Sequence, residues 1–567
     1  MFLFDWIPQQ PAAIVAKGLE MASPFASGFA IACLPLFILC LLSLSSSWAR
    51  FTDKPLVFAI THSIPFFLFT FQDSLGDSGQ VISGVRSRYH MSEPLASWAH
   101  YWFFSLLHEP FNIGAKDAIA LTSRVGGFFY LWFVAKISIQ LFPDLSPPRR
   151  LLHRLIFTTA SVAFLFYGYV ENPPLALPGE QLWVLTSLVF LQIPSLKNLA
   201  MCSAALALAT AFHGRVGFLF PALALGCLIP TGTLLQRVRR LIFGSTVYFG
   251  LLSLMVAYIF LLDRNQISGG AYGNVLGGGN RQMFVALNQI FAVGHWDPIF
   301  RSLLIAGGVL IPFGLIRLVT MWYKPSATSM WCLGYLLADV VYLLLWEFDY
   351  GPYLDWDLVF SAVCPLLLMT SMVVTRSRVP LFCIVPLLLA TTYLSHTWAT
   401  LVNGGPLVLN IAPRASTPTT GVSCNIHGLK RTYYTEPALL TPVSTPEADI
   451  PYHEYGSLGI PFPVPGKPLG AIFEGYISIP KAGSYRFFIL GQGNVRLSIA
   501  DRRLVNKWIG YEWRVSAERE MKFELPGYYP IRIEFFSISS VFPLQLEIES
   551  AEYERRKITN DELCYSS

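Results

Sequence analysis

The chain has 567 residues, of which 53% are hydrophobic and only 13% are charged, and its formal net charge is +5. This composition excludes an ordinary soluble enzyme, because soluble domains carry about 25% charged residues. The cations are dispersed along the chain, which argues against a nucleic-acid partner. A membrane protein is therefore expected.

The first 27 residues precede the long apolar runs. They lack the basic start and the small-residue cleavage site of a secretory signal peptide. Phe2, Phe4, Trp6 and Ile7 are typical of a segment that lies in the membrane interface. We expect residues 1–27 to form an N-terminal interfacial segment.

Residues 28–400 contain repeated apolar runs that are bounded by charged residues or by turns rich in Pro and Gly. Runs of this kind predict a multi-pass α-helical membrane domain with about twelve spans. Several runs are short, which favours tilted or broken helices around a cavity. The predicted spans lie near 28–47, 56–71, 118–141, 151–169, 181–194, 199–212, 216–229, 241–262, 302–320, 330–346, 357–375 and 380–398.

Arg and Lys occupy one set of alternate loops, and the carboxylates occupy the other. By the positive-inside rule the basic loops face the cytoplasm. The acidic loops and everything after residue 400 then face outward, and an even number of spans puts the N-terminus outside as well. The basic set is Arg50, Lys54, Arg149, Arg150, Arg154, Lys197, Arg237, Arg239, Arg240, Arg317, Lys324, Arg376 and Arg378, and the acidic set is Asp73, Asp77, Glu93, Glu109, Glu171, Glu180, Asp263, Asp297, Glu347, Asp349, Asp355 and Asp357.

Seven of the nine cysteines lie singly inside predicted spans, where small apolar packing residues are expected. Cys424 and Cys564 differ, because they bracket the region after residue 420. In an oxidising compartment these two would form a disulfide that joins the ends of an exported domain.

Residues 401–420 are rich in Pro, Ser and Thr and predict a linker. Beyond them, residues 421–567 alternate polar and apolar side chains in short runs separated by turns, which predicts an all-β antiparallel sandwich. Four stretches of this region share a family pattern, namely Gly428–Tyr434, Phe473–Phe487, Val495–Asp501 and Gly527–Glu534. Through them the region resembles the protective-antigen-type (PA-fourteen) domain, which is common in carbohydrate-binding proteins.

The calcium-dependent sugar-binding members of that family carry paired aspartates where this chain reads Gly491-Gln-Gly-Asn494. Calcium prefers several charged oxygen ligands, so we expect this domain to bind no calcium. Two roles stay open for it, which are glycan binding and a spacer or protein-interaction module.

The first outward loop reads Asp73-Ser-Leu-Gly-Asp-Ser-Gly-Gln80 and directly follows a predicted span. A carboxylate placed where a helix leaves the bilayer is costly unless its charge is used. Gly76 and Gly79 flank Asp77 and would permit the close approach of a ligand. The aromatic segment that follows, up to Phe104, suits a helix that lies on the membrane surface.

This arrangement resembles the C-type glycosyltransferases, polytopic enzymes that transfer sugars from polyprenyl-phosphate carriers at the outer face of the membrane. In that family the first large outward loop holds an acidic residue at the active site, and Asp77 matches its position. Four further stretches resemble bacterial members, although an additional apolar segment precedes the acidic loop. They are Glu93-Pro-Leu, Gly168-Tyr-Val-Glu-Asn172, Thr210-Ala-Phe-His-Gly-Arg215 and Gly351–Leu358.

The resemblance implies a membrane glycosyltransferase of the bacterial cytoplasmic membrane, with a polyprenyl-phosphate-sugar donor and a hydroxyl acceptor on a glycan, lipid or protein. An acceptor hydroxyl needs a base to take its proton as the new C–O bond forms, and Asp77 is our candidate. Alternatively, Asp77 would bind a divalent cation, Mg or Mn, together with Asp73 or Glu93.

The lipid phosphate that leaves needs a cation close to the outer membrane surface. Arg215 interrupts an apolar hairpin and is our first candidate, with Arg264 as a further one. The competing interpretation makes Arg215 a structural residue that pairs with a neighbouring carboxylate. His213 is likewise either a substrate contact or an interhelical hydrogen-bonding residue.

The acidic segment 347–357 places Asp349, Asp355 and Asp357 among aromatic residues, which suits sugar recognition. Helix N-capping is the alternative role for Asp355 and Asp357. A transporter is disfavoured, because no internal repeat is found and ionisable residues are expected in outward loops. A non-catalytic, membrane-anchored glycan-binding or scaffold subunit, with a protein complex formed through the β-sandwich, remains the alternative function.

Overall fold

The computed structural model of the chain divides into two compact units, one that ends at Asn410 and one that begins at Ile411. The first unit is mainly helical, and the second consists mainly of β-strands. The residues that the structure describes are 45–71, 81, 85, 93–111, 113, 115–170, 172–262, 285, 290, 292–308, 311–323, 326–346, 358–359, 362–377, 384, 386–388, 390–392, 407–409, 426–434, 469–491, 494–500, 502–507, 515–537, 545–550 and 554–565.

Proline and serine start many of the helices. Pro55, Pro147 and Pro173 occupy first-turn positions, where the missing N–H is not needed, and Ser195 and Ser326 cap their helices with the side-chain oxygen. The described helices are α1 (Ser46–Phe51), α2 (Pro55–Leu68), α3 (Pro94–Phe111), α4 (Ala115–Leu141), α5 (Pro147–Thr159), α6 (Pro173–Gln192), α7 (Leu196–Phe212), α8 (Phe220–Leu228), α9 (Leu234–Leu262), α10 (Val293–Gly307), α11 (Ile311–Tyr323), α12 (Ala327–Leu345) and α13 (Cys364–Val374), with 3-10 helices at Ser161–Phe166 and Gly214–Leu219.

Most of the predicted spans coincide with described helices, but two are interrupted. The span predicted over 151–169 ends as α5 at Thr159 and continues as a 3-10 helix. The span predicted over 302–320 is split between α10 and α11, and Gly308 adopts a φ of +53° at the break. Glycine suits that left-handed backbone because it has no Cβ. The predicted spans 28–47 and 380–398 fall mostly outside the described residues.

Within the described part of the chain, α4, α6, α9 and α12 are long and apolar enough to cross a membrane. Shorter apolar helices include α2, α7, α13 and the segment Gly214–Leu228. A helix is present near Phe104 as expected, namely α3, on which Trp102, Leu106 and Phe111 are exposed; its position on the membrane surface stays a prediction. The four described cysteines of this unit are free and buried, as expected for packing residues.

Helices α4, α6 and α7 pack closely through small residues. A side chain at Gly126 of α4 would overlap the carbonyl oxygen of Pro174 in α6, and a Cβ at Gly179 of α6 would lie 2.9 Å from the Cβ of Ala209 in α7. Small residues at such crossings let helix backbones approach each other inside a bilayer. The three helices form the frame that carries the polar residues described below.

An ion cluster fastens α5 to the turn between α1 and α2. Asp53 accepts hydrogen bonds from Arg150 and from Arg154, and Arg154 also donates to Ser138 of α4 at 2.7 Å. The expectation that Arg154 is a loop cation was wrong, because α5 begins at Pro147 and Arg154 is fully buried within it. Burial is tolerated since carboxylate, carbonyl and hydroxyl oxygens surround the guanidinium.

Three residues of the predicted linker form a strand, β2 (Leu407–Leu409), which pairs in an antiparallel manner with β1 (Phe69–Phe71) of the helical unit.

The prediction of a helical unit followed by an antiparallel β-sandwich is confirmed. The remaining strands are β3 (Ile426–His427), β4 (Lys430–Tyr434), β5 (Leu469–Ile479), β6 (Gly483–Gly491), β7 (Asn494–Ile499), β8 (Arg502–Lys507), β9 (Val515–Phe523), β10 (Gly527–Ser537), β11 (Gln545–Ser550), β12 (Arg556–Lys557) and β13 (Leu563–Tyr565).

The strands form two antiparallel sheets. The larger sheet has the order β3-β13-β5-β10-β7-β8, with β4 also paired to β5, and the smaller has the order β12-β11-β6-β9. Alternate residues such as Ile477, Leu497 and Ile533 in one sheet and Phe487 and Phe523 in the other enclose a single core. The period-two pattern thus places one face of each sheet inside and leaves the other for polar residues.

Cys564 of β13 is disulfide-bonded. The other described cysteines are free, so its partner lies outside the described residues. Cys424, the predicted partner, is also outside them, but His427 three residues later pairs with Cys564 in the sheet. The pairing of Cys424 with Cys564 stays a prediction.

Glu534 on the polar face of β10 is the centre of a charge network. It accepts hydrogen bonds from Arg496 at 2.8 Å and from Arg532 at 3.0 Å. Burial alone would raise the pKa of the Glu534 carboxyl, but the hydrogen bonds and charges of Arg496 and Arg532 hold this pKa below its ordinary value of 4.5.

Because the pKa of Glu534 is lowered in the folded state, its contribution to stability is present above pH 4.5 and is lost as the pH falls through the folded-state pKa. We expect Glu534→Gln to lower the free energy of unfolding of the sandwich by about 1–3 kcal/mol at pH 7. The difference in unfolding free energy between the variant and the wild type should decrease as the pH falls below 4.5. Native-state hydrogen exchange of β10 in the full-length protein, corrected for intrinsic rates, measures it.

The matched control is Glu549→Gln. Glu549 pairs with the more exposed Arg486 at 2.7 Å, and exposed pairs contribute less than about 1 kcal/mol. Equal losses in the two variants would show that the Glu534 network adds no particular stability.

Candidate functional site

Arg215 is buried between two carboxylates in the helical unit. Its guanidinium donates to Asp339 of α12 at 2.7 Å and also to Glu180 of α6. Tyr335 of α12 donates its hydroxyl to Glu180 as well. We call Arg215, Glu180, Asp339 and Tyr335 the buried ion cluster, and their side chains are 3% exposed or less.

The end of helix α7 places Arg215 between these carboxylates. Helix α7 ends at Phe212, and His213 is extended, with φ −157° and ψ 123°. The imidazole Nδ1 of His213 accepts a hydrogen bond from the backbone N–H of Arg215 at 3.2 Å, which caps the following 3-10 helix. This turn directs Arg215 towards α6 and α12.

The buried ion cluster holds two carboxylates and one guanidinium. The Oδ2 atom of Asp339 is buried and has no hydrogen-bond partner among the described residues. Isolated charges are very costly in apolar surroundings, whereas paired charges with good geometry are tolerated. Arg215 is therefore needed to hold Glu180 and Asp339 inside the protein, whatever else it does.

A second polar group, which we call the polar triad, consists of Glu93, Asn172 and His213. Asn172 donates its amide to Glu93 at 3.1 Å, and the His213 Nε2 lies 4.0 Å from the other oxygen of Glu93. Because Nδ1 of His213 accepts a hydrogen bond, the neutral ring carries its proton on Nε2, facing Glu93. The Oδ1 atom of Asn172 has no hydrogen-bond partner among the described residues.

Arg124 of α4 is a buried cation that, unlike Arg215, forms no ion pair with a described carboxylate. It is 8% exposed, and its Nε atom has no hydrogen-bond partner within the described part of the chain. Asp117, two helical turns away, is an electrostatic partner of Arg124 but forms no described ion pair with it. A guanidinium in this position is available to an anion that approaches α4.

Described residues next to the two acidic segments pack on different parts of the helical unit. Val81 and Val85, which follow the Asp73–Gln80 loop, pack with Ile119 and Ala120 of α4 and with Val170, two residues before Asn172. Tyr342 and Val359, which flank segment 347–357, share a cluster against which Phe218 of the Arg215-bearing turn packs. The first acidic segment therefore ends near α4 and the polar triad, and the second is flanked by residues of α12 and of the cluster beside the Arg215-bearing turn.

Of the predicted site residues, the structure brings Glu93, His213 and Arg215 together. The other predicted site residues lie outside the described part of the chain, and these are Asp73, Asp77, Arg264, Asp349, Asp355 and Asp357. Glu180 was wrongly expected in an outward loop, because Pro173 and Pro174 begin α6 several residues before it. Asp339 and Arg124 were missed, although single ionisable residues inside apolar helical runs are a recognised sign of function.

Within the described residues, no group of three or more His, Cys, Asp or Glu side chains is arranged to hold a metal ion. Glu93 and Asn172 supply oxygen ligands and His213 a nitrogen, which fall short of the oxygen-rich octahedral shell of Mg or Mn. The described residues do not form a Mg or Mn site.

Residues 426–562 match the PA14 domain family. This match confirms the resemblance found in the sequence. Among solved structures, the chain is similar to an anti-sigma factor domain-containing protein from Clostridium clariflavum, with 19% identity, a TM-score of 0.22 and coverage of 25% of this chain and 48% of that chain. It is also similar to a PA14 sugar-binding domain from an RTX adhesin, with 12% identity, a TM-score of 0.16 and coverage of 18% and 55%.

The chain is similar as well to ArnT from Cupriavidus metallidurans bound to undecaprenyl phosphate, with 13% identity and a TM-score of 0.42. This similarity covers 57% of this chain and 60% of the ArnT chain. The chain spans only 52% of the length of another anti-sigma factor domain-containing protein that it resembles. No curated protein matches the chain.

The contacts of Arg215 predict what its loss does. Arg215→Gln would leave Glu180 and Asp339 buried without a countercharge, so we expect the helical unit to lose about 3–5 kcal/mol of stability in the absence of any substrate. Thermal unfolding in detergent measures this loss. Arg239→Gln is the matched control, because Arg239 is exposed on α9.

If Arg215→Gln unfolds like the wild type and like Arg239→Gln, the buried ion cluster is not what holds α6 to α12. A triple variant, Arg215→Met with Glu180→Gln and Asp339→Asn, should recover part of the stability because no uncompensated charge remains.

Proposed function

We propose that the helical unit transfers a sugar from a polyprenyl-phosphate carrier to an acceptor hydroxyl at the outer face of a membrane. The observation that supports this most is that the polar triad lies at the ends of α3, α6 and α7, while the residues after the Asp73–Gln80 loop pack on α4, the helix that carries Arg124. A sugar-transfer site needs a base, a cation for the phosphate and hydrogen-bonding groups for hydroxyls, and this frame offers candidates for each.

Asp77 is the proposed general base. In the sequence it is four residues before Val81, which packs against α4. A carboxylate there would accept the acceptor's proton while the hydroxyl oxygen attacks the anomeric carbon of the donor. The bond from that carbon to the phosphate oxygen breaks in the same reaction, and the lipid phosphate leaves.

Arg124 is the proposed contact for the phosphate. Arg215, the first candidate from the sequence, already donates to Glu180 and Asp339. Arg124 has no such carboxylate among the described residues, and its Nε atom still needs an acceptor. A phosphate oxygen would supply one and would be stabilised as negative charge develops on it.

The polar triad is proposed to hold sugar or acceptor hydroxyls. Glu93 accepts hydrogen bonds, the Oδ1 atom of Asn172 is available as a further acceptor, and His213 presents Nε2–H as a donor. The donor and acceptor are membrane-associated in this proposal.

The proposal predicts that Asp77→Asn removes transfer. Purified full-length protein would be supplied with a panel of polyprenyl-phosphate sugars and acceptors, and lipid phosphate release would be measured. We expect the rate to fall by at least about 100-fold, since general-base catalysis contributes 10²–10⁴-fold. Asp144→Asn, an exposed position after α4, is the control and should keep the full rate.

Equal turnover by Asp77→Asn and the wild type would remove Asp77 from the chemistry. No turnover with any donor would favour the alternative, a non-catalytic glycan-binding or scaffold subunit.

The proposed role of Arg124 is tested by binding rather than by rate. We expect Arg124→Gln to weaken the binding of polyprenyl phosphate by about 10–100-fold, because a hydrogen bond to a charged group contributes roughly 1.5–3 kcal/mol. Arg124→Lys keeps the charge and should bind with intermediate affinity. Lys136→Gln, on the same helix beside Trp132, should bind normally.

Unchanged lipid-phosphate affinity in folded Arg124→Gln protein would contradict this role. Lost stability with unchanged affinity would make Arg124 a structural residue.

A further inference from the structure

The polar face of the larger sheet in the β unit contains a cleft of about 460 Å³. Its floor is formed by the backbone of β5 and β10. The side chains that carry chemistry in its lining are Lys430, Glu474, Tyr476, Ser498, Arg532 and Tyr565. Its volume is within the range of about 300–1,000 Å³ that is typical of small-ligand sites.

Strand register explains why these residues meet. Lys430 of β4 is opposite Glu474 of β5, Glu474 is opposite Arg532 of β10, and Arg532 is opposite Ser498 of β7. Directly opposite residues on neighbouring antiparallel strands have Cβ atoms about 5 Å apart. Four strands therefore contribute one continuous polar row across the sheet.

Gly475 lets two strands share one edge of β5. Strand β4 pairs with β5 up to Glu474, and β13 pairs with the same edge of β5 from Tyr476 onward. Gly475 lies at the junction, where a Cβ would overlap the carbonyl oxygen of Cys564 and would lie 2.8 Å from the side chain of Leu429. Only glycine therefore permits the close approach of β13 that brings Tyr565 beside the polar row.

The charges in the cleft are not balanced. Arg532 pairs with Glu474 and with Glu534, and Glu534 also pairs with Arg496. Lys430, although opposite Glu474 in the register, has no carboxylate within 4.0 Å among the described residues. One ammonium group at the rim is thus available to an anionic group of a ligand.

Two tyrosines complete the lining. Tyr476 lies beside the polar row and offers a flat ring next to hydrogen-bonding groups. Tyr565 also lines the cleft, but it is only 8% exposed, and its side chain shares the core face of β13 with Leu563. Tyr476 is therefore the aromatic ring that a ligand can contact.

We propose that this cleft binds an acidic saccharide, a sugar ring that carries a carboxylate. The carboxylate contacts Lys430, the ring hydroxyls contact Glu474, Ser498 and Arg532, and the apolar face of the ring stacks on Tyr476. The lining of this cleft includes no residue of the Gly491–Asn494 loop, so the two are different sites. Binding in the cleft requires no calcium. This binding does not depend on the transfer reaction proposed for the helical unit.

The test is titration of the full-length protein in detergent, in the presence of EDTA, with methyl glucuronide, methyl galacturonide and N-acetylneuraminate, each compared with the neutral methyl glucoside. We expect saturable binding of at least one acidic sugar and affinity for the glucoside at least about ten-fold lower. Lys430→Ala should weaken the acidic sugar by about ten-fold and Lys430→Arg should restore it. Tyr476→Ala should weaken acidic and neutral sugars alike.

Lys522→Ala is the matched control, because Lys522 is an exposed lysine on β9 of the smaller sheet. It should bind as the wild type does, and hydrogen exchange of β10 shows whether each variant keeps the fold.

The proposal is overturned if no acidic sugar binds, if neutral and acidic sugars bind equally, if EDTA abolishes binding, or if folded Lys430→Ala binds like Lys522→Ala.

Discussion

The pairing of Arg215 with Glu180 and Asp339 is the interaction on which the helical unit depends. It joins α6, α12 and the turn after α7, and its groups are almost completely removed from solvent. Inside an apolar bundle none of these charges is tolerable alone, so the three elements are stabilised only together. Glu180 lies about 10 Å along α6 from its first residue, and Asp339 lies about 9 Å from the last residue of α12.

The same turn links this buried ion cluster to the polar triad. His213 caps the 3-10 helix Gly214–Leu219, which carries Arg215, and its Nε2 lies 4.0 Å from Glu93, which in turn accepts a hydrogen bond from Asn172 just before α6. Buried polar atoms without a protein partner are the ones that a ligand would satisfy. Among the described residues these include Asn172 Oδ1 in the polar triad, Asp339 Oδ2 in the buried ion cluster and the Arg124 Nε on α4.

In the β unit, alternation predicted the long strands well, because Ile477, Leu497 and Ile533 must all face one core. Strand β8 was not predicted, since Arg502 and Arg503 precede a run too short to show a period. The cleft on the polar face also had no signal in the sequence. Lys430 and Arg532 are 102 residues apart, and only the pairing of β4 and β10 with β5 brings them into one row.

By itself the sequence determined the helical, apolar character of the first unit, the positions of most described helices and the nature of the β unit, because these follow from local hydrophobicity and from periods of 2 and 3.6 residues. It also marked Glu93, His213 and Arg215. Only the tertiary structure decided that Arg215 pairs with Glu180 and Asp339, that Arg124 is buried without an ion pair to a described carboxylate, and that five strands build a cleft. Those outcomes depend on contacts between residues far apart in the chain, which local patterns do not encode.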